Sequence, residues 1–289
     1  MYLDDKTPDI YYRFDGAAEF IERADGNNNK MASDAMTEGL AFYGNTKNVR
    51  EAAEMALSGS NDKSVNEIGK ISEVIFDKLS PLIEKENISH DTEGAEIDIS
   101  RYVDGEPECW MKFEPVIADG KGNRIISIAI NFGMNCHINS DDTRKHGIFI
   151  STLTKCIEQA GYRVKIDLFK VSENNSNNEL YFLIQNFKPA DQELSIPHLF
   201  FWTGTTAIRR LYFSVMETIP EKYHYKYSIS KSGSYSRSVS GTQEKLEKLS
   251  GNEYNLFIPN IASIKLNDIQ SEVIKYLEEL KIIKQEAVA

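Results

Sequence analysis

The sequence predicts an α/β protein with three layers, one sheet carrying helices on both faces, preceded by a helical N-terminal region. Three observations predict it. Ile125, Ile126, Ile128, Ala129 and Ile130 form a near-continuous apolar run, the pattern of a strand buried on both faces of a parallel sheet. Tyr162 to Phe169 alternates apolar and polar residues, the period of a half-exposed strand. Stretches with apolar residues at steps of three and four lie before, between and after these runs.

The N-terminal third reads as mostly helical. Asn48 with Glu51, and Ser64 with Glu67, have the spacing of a capping box, so two helices start there. The second places Val65, Ile68, Ile71, Ile75, Leu79 and Leu82 on one stripe, expected to lie on the sheet that follows. Tyr102 to Val116, with Asp104-Gly105 and two prolines, reads as an irregular connection running into a strand.

Beyond the isoleucine run, Asp141-Asp142-Thr143 offers an N-cap for a helix from about Arg144 to Ala160, which Gly161 stops. Leu180 to Phe187 is a further strand, antiparallel to the alternating one because the linker between them is short and polar. Thr205 to Thr218 returns to helical spacing, Tyr254 to Ile258 is a last strand, and a capped helix follows from Asn267. The chain thus divides into an acidic, mainly helical region over residues 1–118 and an α/β domain over residues 119–289.

Its 289 residues carry a net charge of −11, and all of the excess acid lies in residues 1–100, with 21 Asp and Glu against 10 Lys and Arg. That third repels nucleic acid and anionic membrane. No apolar stretch approaches the roughly 18 residues of a membrane span, and MYLDDKTPDI lacks the pattern of a signal peptide. The expectation is a cytoplasmic protein without membrane contact. Cys109, Cys136 and Cys156 have no zinc or redox spacing and are expected as reduced thiols.

From Ser228 to Ser240 every second residue is serine, with Gly233 at the middle, which suggests a hairpin with one all-serine face. Residues 222–243 also hold four cations and no acid, interleaved with tyrosines. Tyr225, Lys226, Lys231, Tyr235 and Arg237 are therefore candidates for single-stranded nucleic acid, through phosphate neutralisation and base stacking. The alternative is an exposed hairpin whose tyrosines pack on the body.

An α/β sheet places ligands at the C-terminal ends of its strands. Here that gives a crevice with Asn131 and Asn135 after the isoleucine run, and Thr205 and Thr206 opening the later helix. Other groups have a plainer reading. Arg209-Arg210 sits on a helical pattern as a solvated or salt-bridged face, with anion binding as the alternative. Cys136, His137 and His146 fit no closed zinc pattern, and Asp104, Glu106 and Glu108 read as solvated acids of a turn. The phosphate-loop, nucleophile-elbow, zincin and dinucleotide signatures are absent, and no catalytic residue, metal or cofactor is assigned.

The order of elements, with Asn131, Gly133 and Asn135 after the first central strand and Gly204-Thr205-Thr206 later, resembles the von Willebrand factor A-type fold. Where that family has D-x-S-x-S, this chain has neutral asparagines and a glycine, so the resemblance implies a binding scaffold that has lost its magnesium. A second resemblance is carried by Phe42-Tyr-Gly-Asn-Thr, by Glu51-Ala-Ala-Glu-Met-Ala-Leu-Ser-Gly59 and by Gly94 to Cys109. These look like uncharacterised proteins of tailed bacteriophages and mobile elements, which implies a phage-encoded protein working in the host cytoplasm. The expected function is non-enzymatic binding through protein partners, with single-stranded nucleic-acid binding in phage DNA metabolism as the alternative.

Overall fold

The computed structural model describes residues 10–27, 40–79, 87–94, 96–114, 125–173, 180–225, 229, 237–239, 243–264 and 266–283. In chain order the first elements are β1 (Ile10–Phe14), α1 (Ala17–Asp25), α2 (Val49–Ser58), α3 (Ser64–Leu79), β2 (Asn87–Asp91), β3 (Glu96–Ile97), α4 (Ile99–Val103) and β4 (Trp110–Glu114). Next come β5 (Ile125–Asn131), α5 (Ser140–Gln159), β6 (Arg163–Glu173), β7 (Leu180–Lys188), α6 (Ile196–Gly204) and α7 (Ile208–Glu217). The last are β8 (Arg237–Val239), α8 (Gln243–Ser250), β9 (Leu256–Ile258) and α9 (Ile269–Glu279).

The main sheet is mixed, in the order β1-β7-β6-β5-β9, with β8 attached to β6. As expected, the isoleucine run forms a central strand, β5, parallel to β6 and to β9. The antiparallel pairing of β6 with β7 is also present. Strand β1 was not foreseen: it pairs in parallel with β7 and ties the N-terminal region into the sheet. Strands β2, β4 and β3 make a separate antiparallel sheet, so the first hundred residues are less uniformly helical than their pattern suggests.

Strand β6 departs from its half-exposed reading, because both of its faces are covered. Val164, Ile166 and Leu168 join Ile128 and Ile130 in the larger core beneath the helices. Phe169 and Val171 meet Ala129, Ile184, Tyr254 and Leu246 on the opposite face. The helices divide unequally. Among the described residues, α8 is the helix that contributes to this second cluster, while residues of α1, α2, α3, α5, α6, α7 and α9 enter the first.

Helix α5 lies at the centre of the helical layer, in contact with α3, α6 and α9. Its small residues permit this. Gly147 faces Gly204 so closely that a Cβ on Gly147 would stand 2.2 Å from the Gly204 Cα. The stripe of α3 therefore lies on α5 instead of the sheet, with Ile68 packed against Ile148 and Phe200.

Local signals at the helix ends hold with small shifts. Asn48 accepts from the Glu51 amide at 2.8 Å, as a capping residue should. Asp62 takes the place expected of Ser64 by accepting from the Ser64 amide. Asn139, two residues before the expected cap, accepts from the Asp142 amide and starts α5. Gly161, with φ 86°, follows its end. Asp268 caps α9, one residue after Asn267. The predicted helix over Thr205 to Thr218 begins only at Ile208, because α6 precedes it and ends at Gly204. The connection after Tyr102 contains the end of α4 before β4 starts. No described helix is long and apolar enough to cross a membrane.

Candidate functional site

Sequence reasoning pointed to the C-terminal end of β5, and there the structure gathers an unexpected set of residues. Arg209 and Arg210, on α7, are buried, 3% and 0% exposed. The solvated-face reading of this pair is overturned: the turn before α7 aims both guanidinium groups into the molecule, where backbone carbonyls and aromatic rings replace water.

Arg209 is held by three carbonyl oxygens. Its Nη1 donates to Phe42 O at 3.0 Å, and its Nη2 to Asn135 O at 3.1 Å and Ile138 O at 2.8 Å. Its guanidinium lies 4.0 Å from the centroid of the Phe42 ring. Arg210 donates to Thr46 O at 3.0 Å and lies 3.9 Å from the Tyr43 ring centroid. Planar, weakly hydrated guanidinium groups suit such sites, where stacking and carbonyl contacts offset lost hydration. Burial still lowers the Arg209 pKa to about 10.

The loop that wraps both arginines is Phe42-Tyr43-Gly44-Asn45-Thr46. Gly44 has φ +62°, and a Cβ there would meet the Ala207 nitrogen at 2.6 Å. Glycine is thus required twice, for the left-handed turn and for the approach to the start of α7.

Lys170 completes the cluster. It is 3% exposed, and its Nζ lies 3.3 Å from the centroid of the Tyr212 ring. Burial first, then the nearby Arg209 charge, lowers its pKa well below the ordinary value. Lys188 offers a comparison on the neighbouring strand. Equally buried, at 4%, it donates to Val164 O at 2.7 Å and pairs with Glu158 at 2.9 Å. Among the described residues Lys170 has no such hydrogen bond and no carboxylate. It lines a small pocket with Arg209, Tyr212, Ile208, Phe132 and Met134, about 220 Å³ including its open mouth.

The four residues expected to line the crevice serve mainly to build it. Asn131 is buried, and its Oδ1 accepts from the Gly133 amide at 2.9 Å, which turns the chain out of β5. Asn135 contributes its carbonyl to Arg209. Thr205 donates to Phe201 O and Thr206 to Ala41 O.

Of the serine-alternating segment, Lys226, Lys231 and Tyr235 lie outside the described residues. Tyr225 is 98% exposed. Arg237 begins β8, which pairs with β6 where β5 stops: Asn131 stands opposite Phe169, and Val239 opposite Val171. Strand β8 thus pairs with β6 just beyond the end of β5.

Other candidates do not converge. Cys136 and His137 are exposed, whereas His146 is buried with its Nδ1 against Thr203 O at 3.2 Å, and burial lowers its pKa to about 4. Among the described residues no group of three or more His, Cys, Asp or Glu side chains could hold a metal ion. Asp104, Glu106 and Glu108 are exposed, as expected of solvated turn acids.

Lys170 was missed by sequence reasoning, yet a signal exists. It falls in phase with Val164, Ile166 and Leu168, a lysine on the apolar side of its strand.

No curated protein and no solved structure matches the chain. A protein-family model does, the domain of unknown function DUF7192, over residues 5–284, and the chain belongs to that family.

Proposed function

We propose that this is a phage-encoded, von Willebrand A-like binding protein that receives a protein partner at the crevice beyond β5. The observation that carries the reading is the Arg209 guanidinium, fixed among the carbonyls of Phe42, Asn135 and Ile138 at the crevice wall. The order β7-β6-β5-β9, with β7 antiparallel, supports the fold likeness. In the von Willebrand A likeness, the loops after the first central strand and before the later helix surround a cation. Here the carbonyls of Phe42, Asn135 and Ile138 surround the guanidinium that α7 carries. The positive charge is supplied by the chain itself, so partner recognition needs no metal. The phage provenance rests on the three sequence stretches that carry that resemblance.

A photo-crosslinking residue in place of Met134, at the pocket mouth, tests the reading in cells of the source organism. The expected result is a discrete protein adduct from position 134 and none from a control at the exposed Tyr102. Equal labelling from both positions, or none from 134, contradicts it.

A second reading, single-stranded nucleic-acid binding, draws on the exposed Tyr225 and on β8, which places the Arg237 backbone beside the crevice. It expects affinity that falls steeply with salt and is lost when Lys226, Lys231 and Arg237 are all replaced by alanine.

A further inference from the structure

We infer that the pocket beside Lys170 is a carboxylate-binding site, in which the Lys170 amine donates to one carboxylate group of a ligand. This inference rests on the binding reading above and names the chemistry that the crevice would recognise.

A buried lysine ordinarily has acceptors, as Lys188 does in Val164 O and Glu158. Lys170 is as deeply buried, and among the described residues its Nζ has only the Tyr212 ring face. The groups that face it come from two places. Helix α7 supplies Arg209, Tyr212, Ile208 and Phe213, and the loop after β5 supplies Phe132 and Met134. None is an acid.

Arg209 adds a second positive charge at the same wall, and its Nε is buried without an acceptor among the described residues. Two cations at one apolar pocket repel each other unless an anion lies between them or one is neutral. Without ligand, burial and the Arg209 charge both disfavour the charged amine. A carboxylate supplies the missing charge, and in a low-dielectric site its attraction for the ammonium form is strong.

Size decides the class of anion. The pocket holds about 220 Å³ including its open mouth, and inside it there is room for about one water-sized group, such as a single carboxylate oxygen. It therefore takes the end of a side chain or of a peptide, not a nucleotide or a phosphorylated sugar. The apolar lining of Phe132, Ile208 and Met134 suits the carbon that carries the carboxylate.

Proton balance gives the pH dependence. A carboxylate beside Lys170 favours its charged form, so by linkage affinity rises as pH falls, as long as the carboxylate itself stays ionised.

The test uses the full chain with ¹³C,¹⁵N-labelled lysine, following the Lys170 signal by NMR, assigned by its absence in Lys170→Met. The signal is expected to titrate well below those of the exposed lysines, and sodium acetate at fixed ionic strength to raise its midpoint by about one pH unit or more. Acetamide and sodium chloride are expected to move it less. A midpoint that acetate leaves in place, or that acetamide or chloride moves equally, overturns the inference. Two acetylated peptides distinguish the sources of the carboxylate, one ending in a free Gly carboxylate and one carrying an internal Glu with an amidated end. If either shifts the midpoint at lower concentration than acetate, the carboxylate belongs to a partner chain. If neither does, while acetate still acts, the pocket serves a small free acid and the protein-partner reading fails on its own.

Discussion

Lys170 places its side-chain nitrogen 3.3 Å from the centre of the Tyr212 ring, over the face of a phenol and opposite no carboxylate among the described residues. A lysine held this way weakens the fold it belongs to. Its folded pKa is lowered, so between that value and 10.5 the unfolded chain binds the proton that the folded chain refuses. Stability is therefore lost as pH falls below 10.5.

Replacing Lys170 with methionine, which fills similar space without charge, is expected to raise stability at pH 7 by about 1–3 kcal/mol. The gain should shrink as pH rises towards 10.5. Urea unfolding of both proteins at several pH values checks it. A destabilised methionine variant would show that Lys170 has a buried partner.

Arg209 acts in the opposite sense. Removing it leaves the carbonyls of Phe42, Asn135 and Ile138 without their donor. Arg209→Met is expected to cost about 3 kcal/mol or more, because buried acceptors left unmade are expensive. Arg209→Lys should recover less than half of this, since an ammonium lacks the planar fork that spans the three oxygens. The urea midpoint, with the slope unchanged, reads both variants.

His146 predicts a pH dependence with a different origin. It is buried beside Thr203 O, and its pKa falls from 6.5 to about 4 through burial. The unfolded chain then binds a proton between these values while the folded chain does not, so stability is lost as pH falls from 6.5 to 4. The loss amounts to about 3 kcal/mol. His146→Gln should remove this pH-dependent component, which parallel unfolding curves between pH 4 and pH 7 would reveal.

At the crossing of α5 and α6, Gly147→Ala is expected to cost about 3 kcal/mol, because its Cβ would stand 2.2 Å from the Gly204 Cα and the helices must part. Gly105→Ala is the contrasting case. Nothing lies within 4 Å of its Cβ, and φ +76° leaves only backbone strain, about 1 kcal/mol. Thermal unfolding of the two variants separates overpacking from strain.

These residues also mark what the sequence could and could not disclose. The isoleucine run of β5, the antiparallel β6 and β7, and the cap at Asn48 follow from local pattern, and the structure has them. Helix α6, with Leu-Phe-Phe-Trp, is buried from Leu199 to its end and so has no polar face there to set a period; Pro197 near its start was the available sign. The burial of Arg209 and Arg210 depends on a loop some 165 residues earlier, at Phe42 and Thr46, which no local pattern connects to them. A pocket does lie after β5, where strand ends in α/β sheets open, but it is lined by Phe132, Met134, Lys170 and Arg209 and by none of the four residues named from the sequence. Its chemistry was not legible: the neutral Asn131, Asn135, Thr205 and Thr206 drew the reading, whereas the charges come from Lys170 and Arg209.

A high-resolution crystal structure of the protein grown in acetate tests the carboxylate site most directly. Planar density is expected in the pocket, with one oxygen about 3 Å from Lys170 Nζ. An empty pocket, or Lys170 paired with an Asp or Glu of the same chain, would contradict it.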